Sequence, residues 1–385
     1  MLPVPRLEDL GPLDGRSVLV RVDFNVPLAG GGPGAVPEIA DDLRIRAALP
    51  TLRWLRDQGA AVTACTHLGR PRGRVDERFS VAPVRERLRE LAPEVDLIEN
   101  LRFDPGETAD AAAFVERLTA GHDAYVNDAF GASHRAHASI VGPPRRLPSA
   151  AGRLLAREVE VLGGLRDSPR RPFVAVLGGA KVSDKLGVID ALAEMVDALV
   201  IGGAMCFTFL AAQGHRVGAS LCEESMVDHC RKLLDGPTTI HLPYDLTALG
   251  PGGVPGDPGA GGEVRQVGAD VPDGWMGTDI GPGSAAAFGD VIHEAGTVLW
   301  NGPMGVFEDP RFGGGTGAVA AAMAETRAFT VVGGGDSAAA ARRYGVDRDM
   351  DHVSTGGGAS LELIEKGDLP GLAALRGASN ATYAT

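Results

Sequence analysis

The chain has 385 residues, of which 44% are hydrophobic and 23% are charged, and this composition excludes a disordered chain. Its length favours two domains over a single core. The formal net charge of −13 argues against a nucleic-acid or membrane-surface binder, because such proteins are usually basic.

The cysteines and the apolar segments indicate a cytoplasmic protein. The four cysteines form no C-x-x-C pair and no metal-ligand spacing, so we expect free thiols in a reducing compartment. Residues 1–10 lack the apolar core of a signal peptide, and the most apolar segment, residues 198–212, is shorter than the ~20 residues of a membrane span. We therefore expect no membrane contact.

Short apolar runs alternate with helical patterns along the chain. Strands that are apolar on both faces and alternate with helices indicate parallel sheets covered on both sides. The predicted fold class is α/β, with two Rossmann-like domains whose parallel sheets are doubly wound and joined by a hinge helix. The predicted strands are residues 17–22, 61–65, 97–103, 124–127, 173–177, 198–201, 297–300 and 329–332.

The predicted domain break lies near a helical pattern followed by a proline- and arginine-rich connection. We expect an N-terminal domain over residues 1–150 and an interdomain helix over 151–167, which suits a hinge. A C-terminal domain over 168–360 and a final segment, 361–385, that returns to the first domain complete the expected organisation. Residues 250–262 are rich in glycine and predict a flexible surface loop.

In the first half of the chain, cations follow the strands. Because ligands of open parallel sheets bind at the carboxyl ends of the strands, these cations could converge on one cleft. Together they would suit an anion with both phosphate and carboxylate groups, although for any single arginine a surface charge or a structural ion pair is the favoured interpretation. His134 and His137 could be a metal pair, but no third ligand is near and we expect a structural role. The cations are Arg44, His67, Arg70, Arg102 and Arg135.

In the second half, glycine-rich turns follow the strands. Such turns expose backbone N–H groups and helix N-termini, which suit phosphates. Lys181 and Lys185 are expected on the first turns of a helix behind a Gly-Gly turn, and Asp336 is the best-placed ligand for Mg²⁺. The P-loop pattern G-x-x-x-x-G-K-[ST] is absent. Two anion sites on separate lobes suit phosphoryl transfer with domain closure, because closure excludes water.

Nine motifs in a fixed order, from Arg21 to Leu361, resemble the phosphoglycerate kinase family. The resemblance implies reversible, direct in-line transfer between 1,3-bisphosphoglycerate with ADP and 3-phosphoglycerate with ATP, with Mg²⁺, by a monomer that closes its two domains. The acceptor is a carboxylate, already ionised at neutral pH, so no general base is needed. The motifs are RVDFNVP, HLGRP, ENLRF, NDAFGASHRAH, LGGAKVSDK, GGAMCFTF, WNGPMGVFE, GGGD and STGGGASLE.

By this resemblance, Arg44 and Lys185 are the catalytic residues that neutralise the transferring group, and Asp336 is the metal ligand. Gly356, Gly357 and Gly358 would form a helix N-terminus at the transition state. The implied phosphoglycerate-binding residues are Asp23, Asn25, Arg44, His67, Arg70, Arg102 and Arg135. The implied nucleotide-binding residues are Gly179, Ala180, Lys181, Lys185, Gly203, Asn301, Pro303, Val306, Glu308 (on the ribose), Gly333, Gly334, Gly335, Asp336 and Ser337.

The sequence departs from the family pattern most clearly in a deletion. The family usually has another strand and a short helix before the strand of ENLRF, but here only residues 92–96 separate the helix predicted at 81–91 from the strand predicted at 97–103. We therefore expect the sheet of the first domain to be one strand short. The deletion removes none of the implied site residues.

Three other functions fit the sequence less well. A phosphotransferase for a different acyl phosphate is disfavoured because the cations of the first half suit a substrate with two anionic ends. A dinucleotide-dependent dehydrogenase would use the relaxed G-x-G-x-x-A match at residues 333–338, but it leaves the lysine-bearing turn at 178–185 without a role. An inactive homologue that only binds ligands is disfavoured because every charged residue of the implied site is present.

Overall fold

The computed structural model describes residues 3–30 and 38–382, which form two compact units. Unit 1 takes its described residues from 3–163 and 366–382, and unit 2 consists of residues 164–365. The division between them falls inside one helix, α6 (Arg153–Asp167). Among the described residues, no helix has the length and apolar character needed to cross a membrane.

Unit 1 is built around one parallel sheet. Its strands are β1 (Ser17–Arg21), β2 (Leu28–Ala29), β3 (Glu38–Ile39), β4 (Ala61–Cys65), β5 (Val95–Leu97), β6 (Ala124–Asn127) and β7 (Ser149–Ala151). Its helices before α6 are α1 (Leu43–Asp57), α2 (Ala82–Leu91), α3 (Pro105–Thr108), α4 (Ala112–Thr119) and α5 (Ala138–Val141). Short 3₁₀ turns lie at Leu7–Leu10, Glu77–Phe79, Leu101–Phe103, Phe130–Ala132 and Pro143–Arg145.

In the described part of unit 1, the sheet has five parallel strands in the order β5-β4-β1-β6-β7. β1 lies at the centre, and its Val18, Leu19 and Val20 are fully buried because helices cover both faces of the sheet. β2 and β3 pair separately as a short antiparallel ribbon. Val18 and Val20 belong to an apolar core that also contains residues of α1 and α2.

The strand predicted at residues 97–103 is wrong in its bounds. The structure has β5 at Val95–Leu97 and a 3₁₀ turn at Leu101–Phe103. Asn100 causes the difference, because its side-chain oxygen accepts hydrogen bonds from the N–H groups of Leu68 and Arg102 and thereby turns the chain. Only residues 92–94 separate α2 from the edge strand β5, so the described residues contain no additional strand between them.

Unit 2 contains a parallel sheet and a small antiparallel sheet. Its strands are β8 (Phe173–Leu177), β9 (Ala198–Ile201), β10 (Thr239–His241), β11 (Asp245–Leu249), β12 (Val264–Gly268), β13 (Met276–Ile280), β14 (Thr297–Asn301), β15 (Phe329–Val332) and β16 (His352–Val353). Its helices are α7 (Leu186–Ala193), α8 (Cys206–Ala212), α9 (Val227–Leu234), α10 (Pro282–His293), α11 (Gly314–Glu325), α12 (Gly335–Arg343) and α13 (Gly358–Lys366). Its 3₁₀ turns are Ser183–Lys185, Glu224–Met226, Pro258–Ala260 and Pro310–Phe312.

The parallel sheet of unit 2 has the strand order β10-β9-β8-β14-β15-β16, and together with the first sheet it confirms the predicted α/β class with parallel sheets. The strands predicted at 61–65, 124–127, 173–177, 198–201 and 329–332 occur with those bounds. The antiparallel sheet β12-β11-β13 was not predicted, because Val264, Arg265 and Gln266 of β12 are exposed and lack an apolar pattern.

The glycine-rich segment 250–262 connects β11 to β12, as the predicted loop requires. It is anchored by a pair of charged residues next to the 3₁₀ turn at Pro310–Phe312. Asp309 accepts a hydrogen bond from the Gly256 N–H (3.0 Å), and Arg311 donates to the Val254 carbonyl (3.1 Å). The segment is therefore a loop with several hydrogen bonds to the rest of unit 2.

The end of the chain belongs to unit 1. After α13, the last helix, α14 (Pro370–Thr382), packs against α5, β7 and the 3₁₀ turn Pro143–Arg145. Leu372 and Leu375 are fully buried, and Ala374 packs against a small apolar cluster that includes Ile140. Unit 1 is thus completed by residues from both ends of the sequence.

Candidate functional site

Most of the cations predicted to converge in unit 1 lie together. His67 follows β4, Arg102 lies in the turn after β5, and Arg135 follows β6, so the parallel sheet brings their loops to one edge. His67 is buried, and burial together with the positive charges of Arg21, Arg102, Arg135 and Arg44 holds the pKa of its imidazole well below the usual value. The imidazole is therefore neutral near pH 7, inside a cluster of guanidinium groups.

Arg102 lies in this cluster with one donor unsatisfied by any described residue and with other guanidinium groups close by. Its side chain is 8% exposed, and its Nη1 donates to the Gly69 carbonyl at 2.8 Å. Its buried Nε has no hydrogen-bond partner within the described chain. Burial, followed by the charges of Arg135 and Arg21, lowers the pKa of Arg102 to about 10. An anion placed here would satisfy the free Nε and offset the repulsion between the guanidinium groups.

Asp23, Asn25 and Arg44 connect three segments of unit 1. The Arg44 Nη1 donates to Asp23 Oδ2 at 3.1 Å and to the Asn25 carbonyl at 3.3 Å. The Asn25 side-chain oxygen accepts a hydrogen bond from the Gly69 N–H at 2.9 Å. These bonds hold the loop after β1 against α1 and against the loop after β4, so Arg44 lies at the edge of the cationic cluster.

Arg70 lies on the surface, unlike the buried Arg102, and the histidine pair His134 and His137 forms no metal site with the described residues. Arg70 is exposed and makes no hydrogen bond or ion pair with any described residue, although it is only three positions after His67. The Arg135 Nε donates to His134 Nε2 at 3.1 Å, and His137 Nδ1 is 3.8 Å from Glu107, beyond hydrogen-bond distance. Within residues 3–30 and 38–382, no group of three histidine, cysteine or acidic side chains could hold a metal ion.

Lys185 is the buried cation of unit 2. Its Nζ donates to the Gly178 carbonyl at 2.7 Å and to Asn301 Oδ1 at 2.6 Å. Burial lowers the pKa of Lys185 to about 8. The ammonium group is thus held at the carboxyl ends of β8 and β14 by neutral oxygen atoms, with the charges of Asp336 and Asp184 opposing the shift.

The expectation that both lysines lie on the first turns of a helix was wrong. Lys185 ends the 3₁₀ turn Ser183–Lys185 and precedes α7, while Lys181 is exposed in the loop before that turn. Glu223 changes the path of the chain here, because its carboxylate accepts hydrogen bonds from the Ser183 N–H and hydroxyl. The chain therefore makes a separate turn before the helix begins.

The turns that follow β8, β9 and β14 meet backbone to backbone. The Gly179 N–H donates to the Pro303 carbonyl at 3.1 Å, and the Gly203 N–H donates to the Met304 carbonyl at 2.9 Å. A Cβ atom on Gly203 would lie 2.5 Å from the Gly179 nitrogen, and Gly203 has a φ of +63°. Glycine at position 203 is therefore required by both space and backbone conformation.

A second junction joins β14 to the glycine-rich turn after β15. The Asn301 Nδ2 donates to the Gly333 carbonyl at 2.7 Å, and the Ser337 hydroxyl accepts a hydrogen bond from the Gly302 N–H at 2.6 Å. Asp336 lies in the first turn of α12, is exposed, and has no hydrogen bond to a described residue. The only carboxylate in this turn is therefore free to meet a ligand.

The remaining implied nucleotide residues surround these turns less tightly. The Val306 N–H donates to the Thr278 carbonyl at 2.9 Å, which ties the loop after β14 to the antiparallel sheet. Ala180 and Glu308 are exposed. Farther along the chain, the Gly356 N–H donates to the Ser354 hydroxyl at 3.1 Å just before α13 begins. The other implied residues here are Gly334 and Gly335 at the start of α12, and Gly357 and Gly358 at the start of α13.

The sequence reasoning missed three buried polar residues under the cationic cluster. Arg21, Glu107 and Ser139 are each 0% exposed and are linked by hydrogen bonds. The available signal was Arg21 itself, a charged residue in the last position of a strand that is otherwise apolar. A buried arginine needs polar partners, but the sequence alone does not show which ones.

Comparison with known proteins places the chain in a family. The sequence model described as phosphoglycerate kinase matches residues 7–98 and 92–367. The chain belongs to the phosphoglycerate kinase family. The two matched segments of the phosphoglycerate kinase model meet at residues 92–98, where the deletion was predicted.

Relatives and solved structures agree over nearly the whole chain. The phosphoglycerate kinase of Rubrobacter xylanophilus is 50% identical over 388 residues, covering 94% of this chain and 96% of that protein. That of Salinispora arenicola is 52% identical over 391 residues, with the same coverage. The solved phosphoglycerate kinase from Coxiella burnetii has a TM-score of 0.87 at 34% identity and covers 97% of this chain and 99% of that chain. The enzyme from Pyrococcus horikoshii has a TM-score of 0.82 at 31% identity, with the same coverage.

Proposed function

We propose that the protein is a phosphoglycerate kinase that transfers a phosphoryl group reversibly between 1,3-bisphosphoglycerate with ADP and 3-phosphoglycerate with ATP. The observation that supports this best is Arg102, a buried cation with a free Nε among other guanidinium groups. Such a group favours a ligand with strong negative charge. The names of relatives that match nearly the whole chain support phosphoglycerate as that anion.

In unit 1, the phosphoglycerate would bind to the cationic cluster and the loops around it. Arg102 and Arg135 would contact the anion directly, and the neutral His67 would donate a hydrogen bond. Arg70 is exposed and unpaired among the described residues, so it is available to a ligand. The proposed substrate-binding residues are Asp23, Asn25, Arg44, His67, Arg70, Arg102 and Arg135.

In unit 2, the nucleotide would lie along the turns at the carboxyl ends of β8, β9, β14 and β15. These turns present backbone N–H groups and helix N-termini to phosphates. Glu308 is exposed and would bind the ribose. The proposed residues are Gly179, Ala180, Lys181, Lys185, Gly203, Asn301, Pro303, Val306, Glu308, Gly333, Gly334, Gly335, Asp336 and Ser337.

Asp336 fits the role of the single protein ligand to Mg²⁺. Its carboxylate is exposed and free of hydrogen bonds to the described residues. Mg²⁺ at nucleotide sites is commonly held by one or two carboxylates together with phosphate oxygens and water, so a larger acidic cluster is not needed. When bound, the ion would neutralise charge on the phosphates.

The chemistry requires positioning and charge neutralisation. The acceptor carboxylate of 3-phosphoglycerate is already ionised, so no base has to remove a proton. Arg44 and Lys185 would neutralise the transferring group during direct in-line transfer, with the helix N-terminus at Gly356, Gly357 and Gly358 as a further source of N–H donors. Domain closure would exclude water, which would otherwise accept the phosphoryl group.

We also propose that the enzyme works as a monomer in the cytoplasm. Its four cysteines are free thiols, which suits a reducing compartment. Burial raises the pKa of the Cys65 thiol to about 12, so this residue has little thiolate to react near neutral pH.

The direct test is ATP consumption with 3-phosphoglycerate and Mg²⁺, with a coupled dehydrogenase to remove the product. Turnover in the wild type, lost in Lys185→Ala and retained in the exposed-lysine control Lys232→Ala, is the expected result. Acetate and aspartate should not replace 3-phosphoglycerate. Turnover with either acid, or binding of NAD in place of ATP, would contradict the proposal.

A further inference from the structure

A chain of three buried side chains lies behind His67. The Glu107 carboxylate accepts hydrogen bonds from the Ser139 hydroxyl at 2.6 Å and from the Ser139 N–H at 2.9 Å. The Ser139 hydroxyl in turn accepts a hydrogen bond from the Arg21 Nε at 2.9 Å. The second Nη of Arg21 lies 3.1 Å from His67 Nδ1. A continuous chain of hydrogen bonds therefore links a buried carboxylate, a hydroxyl, a guanidinium group and the imidazole.

The donor and acceptor roles along this chain are determined by chemistry. An arginine guanidinium has only N–H donors, so His67 Nδ1 must accept the hydrogen bond from Arg21. A neutral imidazole that accepts at Nδ1 has its proton on Nε2. Nε2 has no hydrogen bond to a described residue and is not among the fully buried unpartnered atoms, so it reaches solvent-accessible space.

Burial and most of the charged groups around the His67 ring also favour the neutral imidazole. The nearest acidic atom, Asp23 Oδ1, is 4.0 Å from His67 Nδ1, which is too long for a hydrogen bond. The remaining charges that act on the ring, those of Arg44, Arg102 and Arg135, are all positive and oppose its protonation. Among the described residues, Asp23 is thus the one nearby charge that favours a positive ring, and it is outweighed by burial and by the surrounding guanidinium groups.

We propose that Arg21, held by Ser139 and Glu107, fixes His67 as the neutral tautomer with its proton on Nε2, which presents an N–H donor to the anionic substrate. Arg21, Ser139 and Glu107 are positioning residues in this scheme, because they act through His67. The proposal rests on the proposed function for the identity of the anion, but the state of the ring does not depend on catalysis.

The rest of the network keeps Arg21 in this orientation. Arg21 also donates to the Val22 carbonyl, and the Tyr125 hydroxyl donates to the Ser139 carbonyl at 2.7 Å. The guanidinium group is therefore tied to the backbone just after β1, and Ser139 is tied to the Tyr125 side chain of β6. With Arg21 fully buried, the guanidinium group has little freedom to leave His67.

The first test is long-range ¹H–¹⁵N NMR of protein labelled at histidine, with the His67 signals assigned by their loss in His67→Asn. The expected result is the Nε2–H tautomer at pH 8, with no protonation as the pH is lowered through about 6.5, where an unperturbed imidazole would titrate. An Nδ1–H pattern, or ordinary titration near 6.5, would overturn the proposal. The measurement needs no substrate and no turnover.

The second test breaks the chain at Ser139. Ser139→Ala should populate the second tautomer of His67 and raise the KM for 3-phosphoglycerate roughly tenfold, the scale of one hydrogen bond to a charged group. The KM for ATP should not change, and kcat should stay within about threefold. Ser139→Thr retains the hydroxyl and should restore much of the wild-type KM. A loss of thermal stability with an unchanged tautomer would show a purely structural role.

Glu107→Gln provides a second variant if Ser139→Ala does not fold. The amide oxygen can still accept from Ser139, so the buried shape is conserved while the negative charge is removed. Because Arg21 is then held less firmly, the tautomer shift of His67 should have the same direction as in Ser139→Ala but be smaller. No shift in a folded Glu107→Gln protein would overturn the role of the carboxylate. If the wild type shows the Nε2–H tautomer but no turnover, the proposed function fails and the positioning of His67 stands.

Discussion

Arg102 and Lys185 are both cations whose surroundings disfavour their charge. Burial and neighbouring arginines lower the pKa of Arg102 to about 10, and burial lowers that of Lys185 to about 8. Each group has oxygen partners but no direct ion pair among the described residues. A phosphate or carboxylate placed beside either cation would reverse its pKa shift, so part of the ligand's binding free energy comes from relieving an unfavourable charge in the free protein.

Arg44 provides the sharpest kinetic prediction for a single residue. Arg44→Ala should lower kcat on the order of 10³–10⁵-fold, the range for arginine groups that stabilise a transferring phosphoryl group. Steady-state kinetics with 3-phosphoglycerate and ATP measures this. Arg46→Ala is the matched control, because Arg46 lies on the same helix, is exposed, and pairs with Asp42 outside the cationic cluster. A loss below about tenfold would remove Arg44 from the catalytic role.

Lys185 predicts a pH dependence of nucleotide binding. The free lysine has a pKa of about 8, below its usual value, so it is charged below that pH and neutral above it. The Kd for ATP should be constant below about pH 8 and rise above it, as the ammonium group is lost. Calorimetric titration from pH 7 to 9.5 measures the change. The Lys185→Met variant should bind more weakly with little pH dependence, and a flat wild-type profile would contradict the prediction.

Helix α6 contains two adjacent glycines that differ in burial. It spans the division between the units, which falls between Gly163 and Gly164. Gly163 is buried, whereas Gly164 is exposed and a Cβ atom there would meet nothing within 4 Å. Glycine in a helix interior costs conformational entropy on folding. The two glycines therefore make α6 less stable than alanines at the same positions would, where space allows a Cβ atom.

Gly164→Ala should therefore stabilise the protein by about 0.5–1 kcal/mol. Chemical denaturation measures the change in the free energy of unfolding. Gly142→Ala is the opposite case, because its Cβ atom would lie 2.3 Å from a methyl group of Val115 and 2.5 Å from the Ala138 carbonyl oxygen. It should destabilise unit 1, and equal effects of the two substitutions would show that packing does not decide the outcome.

Several elements could be predicted with their bounds because local pattern and burial agree in them. The strands at 61–65 and 173–177 are apolar runs that end at turn residues, and the structure has them at those positions. The strand predicted at 97–103 was wrong because the Asn100 side chain turns the chain through contacts with distant residues. The antiparallel sheet was missed because the exposed β12 has no apolar pattern to detect.

At the scale of the whole molecule, unit 1 combines the first part of the chain with its last helix. Helix α14 packs on α5 and β7 of unit 1, although residues 164–365 of unit 2 lie between them in sequence. Leu372 and Leu375 are fully buried in this contact. The core of unit 1 is therefore incomplete until the last segment of the chain has been made, and folding of unit 1 depends on a contact of high sequence separation.

Leu372→Ala should destabilise unit 1 by about 2–5 kcal/mol, the range for deleting a buried leucine side chain. The thermal unfolding transition of the variant should have a lower midpoint temperature. Binding of 3-phosphoglycerate should weaken as the temperature approaches that midpoint. Binding of ATP to unit 2 at lower temperature should be unchanged. Leu221→Ala, at a partly exposed leucine of unit 2, is the control. Equal losses in both variants would show that α14 has no special role in unit 1.

The sequence by itself determined the α/β class, most strand positions, and the types of residue available to bind anions. Strand positions follow from local apolar runs, and the position of a cation after a strand follows from the geometry of parallel sheets. The motif order was enough to indicate the family, which the comparisons then showed. The candidate site residues stay predictions until they are tested by substitution.

Only the tertiary structure decided which of those residues meet. It brings Arg44, Arg102 and Arg135 around His67, and it leaves Arg70 exposed without a described partner. It also places Glu107 and Ser139 behind Arg21, over a sequence separation of more than a hundred residues between Arg21 and Ser139. Hydrogen bonds and electrostatic forces act through space, so partners from different loops become apparent only when the sheet has fixed the positions of those loops.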